Sequence, residues 1–359
     1  MGKELGIIVS LDNNYSQTTH FFENLLTCVN SDDCQIIVVL DCVTDSTVLH
    51  YLESLKNRVD IIIQNNDEKL GYSKANNIGA KLSDNEFLLF INSDVYPKQD
   101  AISLLLDYIR STNVKSIAQG VLLYPQSDLI QSTGHVFGHY FNRHALTNRP
   151  ISILGNVDII PRQALTSAFY IMRRALFMQL GGFDEFYYNC WDGLELSLKA
   201  TDSACSCVCY TKSIAYHATG GSRNYIPHDE SQASAYFWSN WGKKITPDLD
   251  KLLLREKNKL QDDYFFCINA STIRNFLPYI ESLSVNISSS MHLDGRYQST
   301  INLYNELPYY FFREPTSLLF FTDNFQKLKG NRNWFSVRNN KKDVIIDMHG
   351  NVLLVQELL

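Results

Sequence analysis

Short apolar runs alternate with polar, helix-compatible segments through the first hundred residues of this 359-residue chain. The apolar runs are nearly continuous, as expected of parallel strands that are covered on both faces. Strands are predicted at 5–11, 34–41, 59–65 and 86–94. Helices are predicted between them, at about 17–30, 44–57 and 73–83. This repeated order of strand and helix predicts an α/β fold built on an open sheet flanked by helices.

The pattern becomes mixed in the middle of the chain. Further strands are predicted at 118–125 and 166–174, and helices at 191–200 and 231–244. The stretch between the two strands is polar, rich in Gly, His and Arg, and only weakly periodic. Such a stretch within a compact domain is expected to be a functional or mobile loop. Its histidines suit loop or acceptor contacts better than a metal site.

A second change of pattern lies near residues 245–250. A charged helix is predicted at about 248–262, and short β-like runs follow it. The run DVIIDMHGNVLLVQEL at 343–358 has the form of a hairpin. We therefore expect two domains, at 1–247 and 248–359, the second a smaller α+β appendage of unassigned role.

Polar side chains follow three of the predicted strands at their carboxyl ends. Asp12 follows the first strand, Asp41 the second, and Asn92 and Asp94 end the fourth. Ligands of open α/β sheets bind beyond the carboxyl ends of the strands. The sequence therefore predicts an acidic rim at this edge that suits a metal ion.

Composition and charge narrow the classes of partner. The formal net charge is −6 and the isoelectric point about 5.8, so no basic field favours nucleic acid. The eight cysteines form no regular framework, and the first ten residues lack the apolar core of a signal peptide. No apolar run is long enough for a membrane span. We expect free, buried thiols and a cytoplasmic location, with the inner face of the membrane as an alternative.

Several motifs in a fixed order resemble a known family. IIVVLDCVTDST at 36–47 and LGYSKANNIGAKLSDNEFLLFINSDVYP at 70–97 are followed by YIMRRALFMQLGGFDEFYY at 170–188 and AYHATGGS at 215–222. Together they resemble inverting family-two glycosyltransferases over residues 5–244. The resemblance implies a Rossmann-like GT-A fold, a nucleoside-diphosphate sugar donor that is UDP-, dTDP- or GDP-linked, and Mn²⁺ or Mg²⁺. It also implies polysaccharide synthesis with rhamnose, galactose or a related sugar.

The metal ligands implied by the resemblance are Asp94 and His217. A hard divalent cation on the donor diphosphate keeps several waters, so one or two protein ligands suffice. Imidazole is a suitable ligand for Mn²⁺. Asn92 and Ser93 are assigned to the donor or to water. The alternative is that these residues merely end a strand in a turn.

The donor site is assigned to four further residues. Asp41 matches the acid that contacts the nucleoside in the family, and Asp12 is expected to share that pocket. Lys74 is assigned to phosphate, with an exposed helix lysine as the equal alternative. Gly71 is expected to allow a close backbone approach to the nucleotide.

The catalytic base is predicted in WDGLE at 191–195. Inverting transfer needs a carboxylate that takes a proton from the acceptor hydroxyl. Asp192 is the first choice and Glu195 the second, whereas Gly193 stands where the family often has another acid. Asp192 and Glu195 also fit a capping box, in which Asp192 is the N-cap.

The sequence thus predicts an enzyme that moves a sugar to a hydroxyl of a glycan or lipid-linked acceptor. A catalytically inactive module that binds a glycan or a nucleotide-sugar is the alternative, because of Gly193. A nucleotidyltransferase is disfavoured, because SLDNNYSQ at 10–17 lacks the glycine-rich, basic loop that holds a triphosphate. For residues 248–359, the alternatives are shaping the acceptor site, homodimer formation and peripheral membrane contact.

Overall fold

The computed structural model describes residues 3–30, 32–138, 141–218, 227–246, 248, 265–268, 319–322, 343–347 and 352–354. In chain order its elements are β1 (Leu5–Leu11), α1 (Tyr15–Cys28), β2 (Cys34–Leu40), α2 (Ser46–Leu55), β3 (Ile61–Asn65), α3 (Gly71–Leu82), β4 (Phe87–Ile91), β5 (Val95–Pro97), α4 (Ala101–Ser111), β6 (Ser116–Leu123), β7 (Ile130–Ser132), β8 (His135–Gly138), β9 (Phe141–His144), a 3₁₀ helix (Ile151–Leu154), β10 (Ile159–Pro161), β11 (Phe169–Arg173), α5 (Arg174–Gln179), α6 (Asp192–Asp202), β12 (Ser206–His217), α7 (Pro227–Trp241), β13 (Phe265–Ile268), β14 (Leu319–Thr322), β15 (Val344–Asp347) and β16 (Val352–Leu354).

Ten of the strands form one mixed sheet. Eight follow one another in the order β10-β12-β6-β11-β4-β1-β2-β3, while β5 pairs with β12 and β7 pairs with β6. The four predicted strands of the first hundred residues are β1 to β4, and they pair in parallel. β11 is antiparallel to both β4 and β6. The predicted α/β class is therefore confirmed.

Helices cover both faces of this sheet because its strands bury alternate side chains on opposite sides. Ile7 and Val9 of β1 pack with residues of α1, α2 and α4, whereas Ile8 packs with residues of α3, α5 and α6. Every residue of β4 is buried. Because helices cover both faces of the sheet, polar side chains are better accommodated at the ends of the strands.

Two predicted boundaries differ from the structure. The fourth strand ends at Ile91 rather than at 94, because the chain turns there and resumes as β5. The expected long loop between β6 and β11 contains four short strands, β7 to β10, and the 3₁₀ helix. The sequence did not predict these strands, because segments of 3 or 4 residues are too short to show an alternation of apolar and polar positions.

The chain divides into two compact units. One consists of Met1–His135 and His144–Lys243, and the other of Val136–Arg143 and Lys244–Leu359. Within the second unit, β13 to β16 form a four-stranded sheet, and β15 and β16 are antiparallel, as the hairpin pattern predicted. The helix predicted at 248–262 lies outside the described residues, apart from position 248.

Six cysteines of the described residues are thiols outside any disulfide: Cys28, Cys34, Cys42, Cys205, Cys207 and Cys209. Cys205, Cys207 and Cys209 are buried at the start of β12, as the alternating pattern predicted. Burial raises the pKa of Cys207 and of Cys209 to about 12, which keeps both thiols protonated and unreactive. Among the helices of the described residues, none has the length and apolarity needed to cross a bilayer.

Candidate active site

The turn between β4 and β5 carries the polar triplet of the fourth predicted strand. The Asn92 amide donates to the Ala168 carbonyl at 2.9 Å, and the Val95 amide donates to the Asn92 carbonyl at 3.0 Å. The Ser93 hydroxyl accepts from Gln17 Nε2 at 2.8 Å. The turn is therefore fixed on both sides, and it presents Asp94 from a rigid base.

Strand pairing brings Asp94 and His217 together. Val95 of β5 lies opposite His217 of β12, and the Ala218 amide donates to the Asp94 carbonyl at 2.9 Å. His217 Nε2 lies 3.3 Å from Asp94 Oδ1, and both residues are buried. The two metal ligands implied by the resemblance are thus adjacent, although they lie far apart in sequence.

This pair suits a divalent cation that completes its shell with water and diphosphate. A carboxylate oxygen and an imidazole nitrogen are both ligands of Mn²⁺, and the carboxylate also suits Mg²⁺. Close to them, Asn92 Oδ1 is buried and accepts no hydrogen bond from the described residues. Within the described part of the chain no three His, Cys, Asp or Glu side chains gather as a metal site. A cation here would therefore depend on its donor and on water for the remaining ligands.

Asp192 lies at the same edge of the sheet. It is the first residue of α6 and is buried, and it accepts a 2.6 Å hydrogen bond from the Ser167 hydroxyl. Ser167 precedes Ala168, whose carbonyl binds the Asn92 amide. A continuous set of contacts therefore joins the predicted base to the turn that carries Asp94.

Glu195 occupies a different environment from Asp192. It is buried on α6, with Lys199 Nζ 3.1 Å from its Oε2 as an ion pair. Desolvation raises the pKa of Glu195, and the nearby Lys199 opposes that shift. The capping box is not formed, because Trp191 is the N-cap and no side chain caps this helix end.

The carboxyl ends of β1 and β2 form a second part of the site. Asp41 accepts from the amides of Leu70 at 2.5 Å and Gly71 at 3.1 Å, at the start of α3. Asp12 forms an ion pair with Lys69 at 3.3 Å. The charge of Asp12, and more weakly that of Asp41, raises the pKa of Lys69. Of the two predicted donor-site acids, Asp12 is therefore the one that pairs with Lys69.

Gly71 is the first residue of α3, and Lys74 lies in the first turn of the same helix. Gly71 has a φ of +77°, and a Cβ at this position would lie 2.5 Å from the Tyr188 ring. Tyr188 is thus a close neighbour that requires glycine here, and the approach of Gly71 to a nucleotide stays a prediction. Lys74 is half-buried, and no ion pair with another described residue holds its ammonium group.

Sequence reasoning missed three polar residues of this region. Ser167 binds Asp192, Lys69 binds Asp12, and Gln131 of β7 binds His217 through both ends of its amide. Lys69 directly precedes LGYSKANN, so a search for basic residues beside this motif could have found it. Ser167 and Gln131 give no sequence signal, because only strand pairing brings them to their partners.

Comparison with known proteins assigns the family. A family model described as "Glycosyltransferase like family 2" matches residues 7–233. The chain belongs to this glycosyltransferase family. The match contains every residue assigned above to the metal, the donor and the base.

One curated relative is similar over half of the chain. The chain is 31% identical over 193 residues to the O-antigen biosynthesis protein RfbC of Myxococcus xanthus. The alignment covers 50% of this chain and 15% of that protein, so the chain spans only a small part of its relative.

One solved structure shares the fold. The crystal structure of GalNAc-T7 with UDP, GalNAc and Mn²⁺ matches with a TM-score of 0.55 at 12% identity, over 79% of this chain and 55% of that chain. At this identity the likeness concerns the fold alone, which is the GT-A type. TarS of S. aureus matches with a TM-score of 0.47 at 18% identity, over 65% of this chain and 39% of that one.

Gly193 of this glycosyltransferase is held by packing against Ser167. A Cβ at position 193 would lie 2.6 Å from the Ser167 amide nitrogen, which is backbone and cannot swing away. The absence of a second acid at this position thus has a steric reason in the present backbone. The same close approach places Ser167 beside Asp192.

We expect Gly193→Ala to lower the free energy of unfolding by about 1–3 kcal/mol, because the added methyl must displace backbone. Chemical unfolding of the full chain measures it. Ser203→Ala, at the exposed far end of α6, is the control and should change stability by less than about 0.5 kcal/mol. Equal stabilities of the two variants would contradict the packing argument.

The raised pKa of Glu195 predicts a pH dependence of stability. The folded state binds the Glu195 proton more tightly than the unfolded chain does. Protonated Glu195 therefore adds fully to the free energy of unfolding below the unfolded pKa of about 4.3. This stabilisation is lost as the pH rises through the folded pKa. We expect Glu195→Gln to remove this loss, as measured by urea unfolding between about pH 4 and 8.

Glu53→Gln is the matched control for that experiment. Glu53 pairs with Lys56 at 2.8 Å on an exposed helix surface, so its neutralisation removes an ion pair without relieving burial. The free energy of unfolding of Glu53→Gln, plotted against pH, should run parallel to that of the unchanged protein. A Glu195→Gln curve that also runs parallel would contradict the assignment.

Proposed function

We propose that this chain is a metal-dependent, inverting glycosyltransferase. It transfers a sugar from a UDP-, dTDP- or GDP-linked donor to a hydroxyl of a glycan or lipid-linked acceptor. The observation that carries the proposal is the buried approach of Asp94 Oδ1 to His217 Nε2 at 3.3 Å, at the strand edge that also holds Asp192. Family membership supports a glycosyl transfer, and this geometry supports the choice of residues.

The cation that Asp94 and His217 would hold is Mn²⁺ or Mg²⁺. When bound, such an ion neutralises the charge that grows on the diphosphate leaving group. GalNAc-T7, which shares the fold, was solved with UDP, GalNAc and Mn²⁺. The buried Asn92 Oδ1 is left for the donor or for an ordered water, since a buried acceptor without a partner is costly.

The base in this proposal is Asp192. The acceptor oxygen attacks the anomeric carbon from the face opposite the diphosphate, the bond to the diphosphate breaks, and the hydroxyl proton passes to the Asp192 carboxylate. Ser167 donates to Asp192 Oδ1, which orients the carboxyl group and stabilises its ionised form. Glu195 is less suited, because its carboxylate is already held by Lys199 in an ion pair at 3.1 Å.

The nucleoside side of the donor is assigned to the ends of β1 and β2. Asp41 already accepts two backbone amides, so it acts by fixing the start of α3 beside the donor as well as by any direct contact. Lys69, held by Asp12, supplies a positive charge at this edge and is a stronger candidate for phosphate than Lys74. The glycan class of the acceptor is supported by the similarity to RfbC.

Cytoplasmic location is part of the proposal, since buried thiols such as Cys28, Cys205 and Cys207 form no disulfide and suit a reducing compartment. Residues 248–359 are proposed as an accessory unit, for which acceptor binding, homodimer formation and peripheral membrane contact are the alternatives. The basic and aromatic run NRNWFSVRNNKK, at 331–342, lies outside the described residues.

An inactive sugar-binding module is the second candidate, and Gly193 favours it. The tight contact with Ser167 shows that no acid fits at position 193 without a backbone shift. Asp192, however, is retained, buried and hydrogen-bonded beside the same serine. Binding of nucleotide with metal but without donor turnover would decide for the binding module.

The metal assignment predicts a loss of ligand-induced stabilisation in Asp94→Ala. The unchanged protein should melt at a higher temperature with UDP, dTDP or GDP plus Mn²⁺, since a ligand at about 100 times its Kd stabilises by about 2.7 kcal/mol. Asp94→Ala should lose this rise, because the cation loses its carboxylate ligand. Asp84→Ala, which removes an exposed acid, is the control and should keep it. An unchanged rise in Asp94→Ala would remove this residue from the site.

The base assignment predicts a separation of binding from turnover in Asp192→Asn. Donor and metal binding should persist, while transfer should fall at least about a hundredfold, because an amide cannot accept the hydroxyl proton. Donor affinity is measured by calorimetry and transfer by release of the nucleoside diphosphate. Asp202→Asn, at the far end of α6, serves as the control. Turnover near that of the control would transfer the role of base to Glu195 or elsewhere.

A further inference from the structure

Gln131 of β7 contacts His217 at two points. Its Nε2 donates to the His217 carbonyl at 3.1 Å, and its Oε1 lies 2.6 Å from His217 Nδ1. Both residues are buried, so neither contact competes with bulk water. β7 and β12 both pair with β6, which holds the two side chains at a fixed separation.

The orientation of the Gln131 amide follows from hydrogen-bonding capacity alone. A backbone carbonyl can only accept, so the amide nitrogen must face the His217 carbonyl. The amide oxygen then faces the imidazole ring, and an oxygen of this kind can only accept. His217 Nδ1 must therefore carry a proton in this arrangement.

A proton on Nδ1 decides what Nε2 presents to Asp94. In neutral His217 the lone pair lies on Nε2, which is 3.3 Å from another electron-pair donor, Asp94 Oδ1. Two such atoms repel each other unless a positive charge lies between them or nearby. Histidines that bind metals commonly donate their other ring N–H to a carbonyl or carboxylate, as His217 does here to Gln131.

We propose that Gln131 is a positioning residue that fixes His217 in the Nδ1–H tautomer and so directs the Nε2 lone pair, with Asp94 Oδ1, at one divalent cation. The identity of that cation rests on the proposed function, but the tautomer does not. Because imidazole nitrogen is a better ligand for Mn²⁺ than for Mg²⁺, this arrangement favours Mn²⁺. A merely structural Gln131 would join β7 to β12 without affecting the ring.

The tautomer is measured directly on the full chain with ¹⁵N-labelled histidine. Spectra at about pH 8.5, where an ordinary imidazole is neutral, distinguish a proton on Nδ1 from one on Nε2. We expect His217 to carry its proton on Nδ1, and its signals are assigned by their loss in His217→Ala. A neutral ring with its proton on Nε2 would overturn the proposal.

Gln131→Met tests the same point by removing both hydrogen bonds at nearly constant volume. We expect the Nε2–H tautomer to appear and the affinity for Mn²⁺ alone, measured by electron paramagnetic resonance, to fall about 10- to 100-fold. If Gln131→Met does not fold, the tautomer of the unchanged protein still decides the question, because a neutral ring with its proton on Nε2 overturns the proposal.

The matched control is Gln119→Met. Gln119 is also a buried glutamine whose amide donates to one backbone group and accepts from another, in its case Gly120 and Thr166. Its loss should leave the His217 tautomer and Mn²⁺ affinity unchanged. A folded Gln131→Met with the original tautomer and affinity would refute the proposal. An unchanged protein that shows Nδ1–H but binds no Mn²⁺ would refute only the metal in the proposed function.

Discussion

The antiparallel pairing of β5 with β12 is the constraint on which the candidate site depends. It sets Val95 opposite His217 and ties the Ala218 amide to the Asp94 carbonyl, so that two side chains distant in sequence meet at 3.3 Å. A buried carboxylate beside a buried imidazole is costly unless the pair carries a proton or holds a cation. The backbone ladder supplies the rigidity that keeps such a pair together.

Ser167 connects this pair to the chemistry at α6. Its hydroxyl binds Asp192, its backbone excludes any side chain at Gly193, and its neighbour Ala168 holds the turn at Asn92. A displacement at any of these contacts would move the proposed base relative to the proposed metal ligands. The proposed inverting transfer would depend on that distance, because its acceptor must approach opposite the leaving group. The packing of one small residue therefore serves both halves of the proposed reaction.

Much of the fold follows from local pattern. The continuous apolar runs predicted β1 to β4, since strands covered on both faces need apolar residues at every position. The helices between them followed from length and polarity. The short strands β7 to β10 escaped prediction, because segments of 3 or 4 residues bury too few side chains to show a period. β5 escaped for the same reason, although it positions His217.

The sequence by itself determined the type of sheet and the acidic residues at its carboxyl edge, because parallel strands place their ends together whatever the details of packing. It also determined the family, through motifs in a fixed order. Tertiary structure alone decided the partners: Gln131 for His217, Ser167 for Asp192 and Tyr188 for Gly71. Each of these contacts joins segments whose separation is set by strand register and helix docking. No local pattern of residues encodes that separation.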